Sequence, residues 1–207
     1  MPEHPADRPA GAKLAGAVAW ASELHADQTR RGTDDPYLGH LLAVAALVLE
    51  DGGDEQEAVA ALLHDAVEHQ GGRPVLEQIE RRFGAEVAEL VALCSDSTDE
   101  GRTPWSVRKA AHLAALEEHS VPSGAVRIMV ADKLDNGRAI LAAARRDGFE
   151  AWNRCPALPS EWLDYYRAVV DFADRRLPRS RNLARLKTVI AALERVRPTV
   201  PDSAAAL

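Results

Sequence analysis

The chain has 207 residues with 46% hydrophobic content, enough for one domain with a substantial core and too little for two ordinary ones. Its 25 basic and 32 acidic residues leave a net charge of −7, which repels a phosphate backbone, argues against a nucleic-acid partner and requires any phosphate-bearing ligand to be held by local charge. Cys94 and Cys155 form neither a disulfide framework nor a metal-ligand spacing, no apolar run reaches the roughly 18 residues of a membrane span, and the opening MPEHPADRPAG lacks a signal-peptide order; the expected setting is the cytoplasm, away from membranes.

Four Trp, three Tyr and three Phe stand against a large excess of alanine, and β-branched residues are scattered, so the expected fold class is all-α, a compact multi-helix bundle. Leu14, Ala17, Val18, Ala21 and Leu24 recur at helical spacing and predict a first helix from Leu14 to Thr29. A second runs from about His40 to Glu50 and stops at Gly52–Gly53. Asp54 caps a third, with Glu57 in capping-box position, and the pattern continues through Ala58, Ala61, Leu62 and Ala66 to Gly71–Gly72. Shorter helices are predicted over 74–83 and 85–94, separated by Gly84, then over 104–119, 123–147, 160–176 and 182–197. No strand is predicted.

Residues 1–12 and 198–207 lack periodicity and read as disordered tails flanking a single domain over 13–197. The polar stretch at 95–104 and the two-proline stretch at 153–160 read as loops, and the basic cluster RRLPRSR at 175–181 as a solvated helix end and linker. The four tryptophans, Trp20, Trp105, Trp152 and Trp162, read as core or cover, His25 as a packed structural residue, and His112 and His119 as solvated positions.

The chemistry gathers in a few places. His64 and Asp65 are adjacent inside an apolar helix; consecutive helical residues point about 100° apart, so both reach one point only beside the helix, where a metal ion could sit. The alternative is that they satisfy each other or the backbone. His40 starts the preceding helix, and Asp132 follows the apolar run Ile128, Met129, Val130, Ala131, where an unpaired carboxylate is costly to bury. Two imidazoles and two carboxylates suit Mn²⁺ or Fe²⁺ in a site with open positions.

In this order, His40, His64–Asp65 and Asp132 resemble the HD-domain metal-dependent phosphohydrolases. The segments QTRRGTDDPYLGH at 28–40, ALLHDAVEH at 61–69, FGAEVAELV at 83–91 and VADKLDNGRAI at 130–140 narrow the resemblance to the hydrolase domain of the RelA/SpoT family, in the form of a stand-alone small alarmone hydrolase, over roughly residues 14–176. The resemblance implies an HD-domain fold and removal of the 3′-pyrophosphate of the guanosine alarmones ppGpp and pppGpp with a single Mn²⁺. It implies His40, His64, Asp65 and Asp132 as metal ligands and Glu68 as a catalytic acid.

Two positions depart from the family pattern. Where a Glu-Asp pair is usual, Glu68 is followed by His69, which can position water or shuttle a proton but brings a different charge from a carboxylate. Asp135 stands where an aromatic residue or His is usual; it either adds negative charge near a site for a polyanion or points into solvent. On the substrate side the resemblance assigns Arg30 and Arg31 to the base and phosphates, Asn136 to the ribose and phosphate region and Tyr165 to the nucleotide. Two solvated arginines at a helix end and a core tyrosine are the plainer readings. The leading expectation is therefore a manganese-dependent hydrolase of a small nucleotide, with Glu68 and His69 orienting water. A hydrolase of another phosphorylated nucleotide and a nucleotide-binding regulator with weakened catalysis are the alternatives.

Overall fold

The computed structural model describes residues 11–96, 103–118 and 120–198. These form α1 (Ala12–Leu24), α2 (Leu38–Glu50), α3 (Glu55–Leu63), α4 (Ala66–Gln70), α5 (Arg73–Phe83), α6 (Ala85–Cys94) and α7 (Trp105–Glu117), followed by α8 (Ser123–Asp147), a 3-10 helix over Gly148–Arg154, α9 (Pro159–Arg176) and α10 (Arg181–Val196). Among the described residues the sole β-type pairing is an isolated bridge between Thr29 and Pro36, and no helix is long and apolar enough to cross a membrane. The expected tails lie outside the described residues apart from residues 11, 12 and 198, and Ala12 already opens α1. His119 and most of the 95–104 loop also lie outside them.

Two helices, α3 and α8, organise the core. In α3 the run Ala58 to Leu63 is wholly inaccessible, as expected of a helix that is apolar on every side. Its neighbours are α1, α2, α6 and α8. The 25-residue α8 packs against α2, α3, α6, α9 and α10, and Gly148, at φ +65°, ends it in a conformation that L side chains disfavour. Asp54 caps α3 by accepting the Glu57 amide N–H at 2.9 Å. The other half of the expected capping box is replaced, because the Glu57 carboxylate pairs with Arg127 of α8.

The predicted elements hold with two informative changes. The first helix stops at Leu24, five residues early, and residues 25–37 fold into a loop closed by Tyr37 N–H to Gln28 carbonyl at 2.9 Å and Arg30 N–H to Asp35 carbonyl at 2.9 Å. Long-range backbone pairing therefore overrides the apolar periodicity there. The predicted third helix is broken at His64–Asp65 into α3 and α4. That break carries the chemistry.

Candidate metal centre and nucleotide cavity

Three segments bring the four predicted ligands together. His40 lies in the first turn of α2, His64 and Asp65 occupy the α3–α4 break, and Asp132 lies midway along α8. His64 Nε2 is 3.2 Å from Asp65 Oδ2 and 3.8 Å from Asp132 Oδ1, and His40 Nε2 is 3.4 Å from Asp132 Oδ1 and 3.8 Å from Asp65 Oδ2. Both imidazoles are buried, at 1% and 3% exposure, and neither Nε2 has a hydrogen-bond partner. Two buried, unpartnered ring nitrogens facing two carboxylates cost free energy unless something occupies the point between them. The donor set, two neutral imidazoles with two negative carboxylates, matches a divalent cation in charge and in ligand type.

The orientation of each ligand has a cause. His64 Nδ1 donates to the Ala61 carbonyl at 2.8 Å, which leaves Nε2 as the free acceptor. His40 Nδ1 donates to Asp135 Oδ2 at 2.7 Å. Asp65 accepts from the Tyr37 hydroxyl. Asp132 accepts from Asn136 Nδ2 at 2.5 Å and from Lys133. Burial alone works against charging His64, but Asp65 and Asp132 outweigh it and hold its pKa well above the ordinary imidazole value. His40 moves the same way, with Asp132 and Asp135 overcoming burial. Burial opposes ionisation of Asp132, yet Lys133 and the two histidines keep it well below the usual carboxylate range.

Glu68 and His69 follow in α4. Ligand atoms of Asp65, Glu68 and His69 lie within 4.8 Å of one another. Glu68 Oε1 accepts the Asp96 amide N–H at 2.7 Å and is 3.8 Å from Lys109 Nζ. Burial raises its pKa, partly offset by Lys109. His69 is exposed and sets its ring edge-on to Tyr37 at 6.0 Å.

These residues floor a cavity of about 760 Å³. Asp65, Glu68, His69 and Asp132 line it together with seven cationic side chains, Arg30, Arg31, Arg108, Lys109, Lys133, Arg146 and Arg154. In a chain of net charge −7 that is the local positive field an anionic ligand requires. All four residues assigned to substrate reach the cavity. Arg31 is exposed there. Arg30 instead pairs with Asp135 at 2.7 Å and with Asn136 Oδ1 at 3.0 Å. Tyr165 forms part of the cavity wall while packing edge-on against Trp105 at 5.2 Å. Trp105 and Trp162 also line the cavity, and Trp20, Trp152 and Trp162 are buried as expected.

Several participants escaped the sequence reading. Tyr37 had a usable signal, since it lies three residues before His40, one turn away. Lys109, Arg108 and Asp96 had none: Asp96 binds Arg108, 12 residues on, at 2.8 Å and its neighbour Lys109 at 2.7 Å, and such pairing is invisible in spacing. His112, expected in solvent, is half-buried and donates from Nε2 to the Leu93 carbonyl at 3.0 Å, tying α7 to α6. Arg175 and Arg176, expected as a solvated helix end, pair with Glu117 of α7. His25 is packed as expected, hydrogen-bonded to Gln28 at 2.7 Å and stacked on Tyr37.

Comparison with known proteins gives a consistent result. Residues 17–152 match the HD domain family. The chain is 32% identical over 157 residues to the guanosine-3′,5′-bis(diphosphate) 3′-pyrophosphohydrolase MESH1 of Mus musculus, covering 74% of this chain and 76% of that protein. It is 33% identical over 129 residues to the enzyme of the same description from Aquifex aeolicus, covering 60% of this chain and 17% of the relative. Against a probable enzyme of this kind from Synechocystis it is 47% identical over 75 residues, 36% of this chain and 10% of that one. The chain thus spans less than a fifth of these two longer relatives. Among solved structures it superposes with TM-score 0.67 and 26% identity on a metazoan ortholog of SpoT described as hydrolysing ppGpp, over 89% of this chain and 96% of that one.

Proposed function

The chain belongs to the HD-domain family, and from that premise we propose that it is a metal-dependent phosphohydrolase that removes the 3′-pyrophosphate of ppGpp and pppGpp. The observation that carries the reading is the pairing of four convergent donor groups with a cationic cavity in an acidic protein. His40, His64, Asp65 and Asp132 would hold the cation, with Mn²⁺ the metal proposed for this donor set. When bound, the cation supplies Lewis-acid polarisation of a phosphoryl oxygen.

In the reaction, water adds to the phosphorus bonded to the ribose 3′ oxygen and that P–O bond breaks. Pyrophosphate leaves with the oxygen from water, and the 3′ oxygen takes up a proton. Glu68 is the proposed acceptor of the water's proton: burial raises its pKa and makes it a stronger base, and the Asp96 N–H fixes one carboxylate oxygen. His69, beside Glu68 and Asp65 at the cavity floor, is proposed to share in orienting that water. Lys109 and Lys133 supply positive charge for the departing pyrophosphate, and Arg30, Arg31, Asn136 and Tyr165 are proposed to bind the nucleotide. A small nucleotide is therefore the proposed partner, and the cytoplasm the proposed site of action.

The test is pyrophosphate release from ppGpp by metal-stripped protein, with and without added Mn²⁺, alongside a panel of other phosphorylated nucleotides. Mn²⁺-dependent release from ppGpp, lost in Asp132→Ala, supports the proposal. Turnover confined to another nucleotide would move the substrate assignment and keep the metallohydrolase. Tight ppGpp binding without turnover would instead identify a regulator.

A further inference from the structure

The two histidines of the donor cluster have their tautomers set in different ways. His64 uses the backbone: its Nδ1–H is held by the Ala61 carbonyl three residues before it. His40 has no such route. It lies in the first turn of α2, and the carbonyl three residues before it, on Tyr37, already accepts the amide N–H of His40 at 2.9 Å and of Leu41 at 3.4 Å. Its Nδ1 reaches across to α8 and donates to Asp135 Oδ2 at 2.7 Å. The same carboxylate oxygen accepts Arg30 Nη1 at 2.7 Å, while Arg30 Nη2 donates to Asn136 Oδ1 at 3.0 Å and Asn136 Nδ2 donates to Asp132. Asp132, Asp135 and Asn136 share one face of α8, three and four residues apart.

We propose that Asp135 is a positioning residue for the metal centre: it holds His40 with Nε2 facing the other three donors, and through Arg30 it joins that ligand to the loop that binds the nucleotide. The proposal rests on the metal-centre reading above. A carboxylate behind a ligating imidazole fixes its ring and raises its basicity, and loss of such a partner commonly weakens metal affinity by about 10- to 100-fold. Asp135 is absent from the cavity lining, and its carboxylate is engaged by His40 and Arg30, which offsets its repulsion of a polyanion.

The experiment is Mn²⁺ titration of the metal-stripped full chain, with no nucleotide present, for wild type, Asp135→Ala, Asp135→Asn and Arg30→Ala, each with its helical circular dichroism recorded. Asp135→Ala should bind Mn²⁺ about 10- to 100-fold more weakly. Asp135→Asn, whose amide oxygen can still accept the Nδ1–H, should recover most of that loss. Arg30→Ala should stay within about threefold of wild type, since the bond to His40 remains. In the Zn²⁺-loaded wild type, ¹H–¹⁵N correlation spectra should report His40 protonated at Nδ1, and Asp135→Ala should lose or shift that signal. Folded Asp135→Ala with wild-type Mn²⁺ affinity and an unchanged His40 signal would overturn the positioning role. A folded wild type that binds no Mn²⁺ would overturn the metal centre and the inference with it. Should Asp135→Ala lose its helical signal, Asp135→Asn decides by itself: a His40 Nδ1–H signal that shifts while the proton stays on Nδ1 supports the role, and a signal identical to wild type overturns it.

Discussion

At the scale of single residues, the proposed metal centre would set protons in competition with a cation. His40 and His64 both have raised pKa values, the carboxylates around them overcoming burial. A histidine raised in the folded state stabilises the metal-free fold below its unfolded pKa of about 6.5, and that contribution fades as pH climbs through the folded value. A cation needs the neutral ring, so it must displace these protons. Mn²⁺ affinity should accordingly strengthen between about pH 6 and about pH 8, by at most about tenfold per pH unit for each proton displaced. Calorimetric titration in buffers of differing ionisation enthalpy measures both the trend and the protons released; affinity that falls over this range would contradict the assignment. His69 is a second case. It is exposed beside Glu68 and Asp65, so His69→Ala should lower kcat by about a hundredfold with little change in KM if it helps orient water. Steady-state kinetics with ppGpp decides this, and an unaltered kcat would make His69 a bystander.

At the scale of elements, the site depends on how α2, α3 and α8 are tied together. The α2–α3 turn is tight: a Cβ on Gly53 would come within 2.9 Å of the Val48 carbonyl oxygen, so glycine permits the close approach that sets His40 against His64. The far end of α2 is clamped to α10. Asp51 accepts the Ser180 hydroxyl at 2.5 Å and the amide N–H groups of Arg181 at 2.7 Å and Asn182 at 3.3 Å, and Asn182 Nδ2 donates to the Leu47 carbonyl at 2.7 Å. A carboxylate capping a helix N-terminus in this way combines hydrogen bonding with the helix dipole. Asp51→Ala should destabilise the fold by about 1–3 kcal/mol, read from the urea midpoint at constant m. Because the clamp touches none of the metal donors, Mn²⁺ affinity at saturating fold should stay unchanged in the same variant.

For the molecule as a whole, the feature expected to govern ligand choice is the contrast between a net charge of −7 and a cavity lined by seven cationic and four acidic side chains. Arg30→Ala combined with Arg31→Ala should raise KM for ppGpp by at least about 10- to 100-fold, since the loss of even one charge-assisted contact of roughly 1.5–3 kcal/mol is enough for that. Turnover of a small generic phosphoester should fall far less. Added salt should raise KM for ppGpp in wild type and do so more weakly in the double variant, because exposed charges are screened over a Debye length of about 8–10 Å. Equal losses on both substrates would show that the arginines instead maintain the loop leading to His40, a role their contacts to Asp135 and Asn136 make concrete for Arg30.

Helical periodicity and caps were legible in the sequence because they are local: Asp54 before α3 and the apolar spacing of α1, α2 and α8 follow from nearest-neighbour chemistry. The four donor residues were legible as well, since His64–Asp65 and Asp132 interrupt apolar runs where unpaired polar groups are costly. What surrounds them was not. The break between α3 and α4 lies where the helical spacing of Ala58, Ala61, Leu62 and Ala66 predicts one continuous helix, and the early end of α1 depends on pairing between Gln28 and Tyr37. Asp135, read from sequence as a stray negative charge or a solvated one, holds a ring from α2 and a guanidinium from the loop. Asp96, just after α6, and Lys109, on α7, both reach Glu68 from segments distant in sequence. Residue type and spacing determine which groups are too polar to be buried alone; only the packing of distant segments decides which partner each one meets, and therefore which nitrogen of His40 is left facing the other donors.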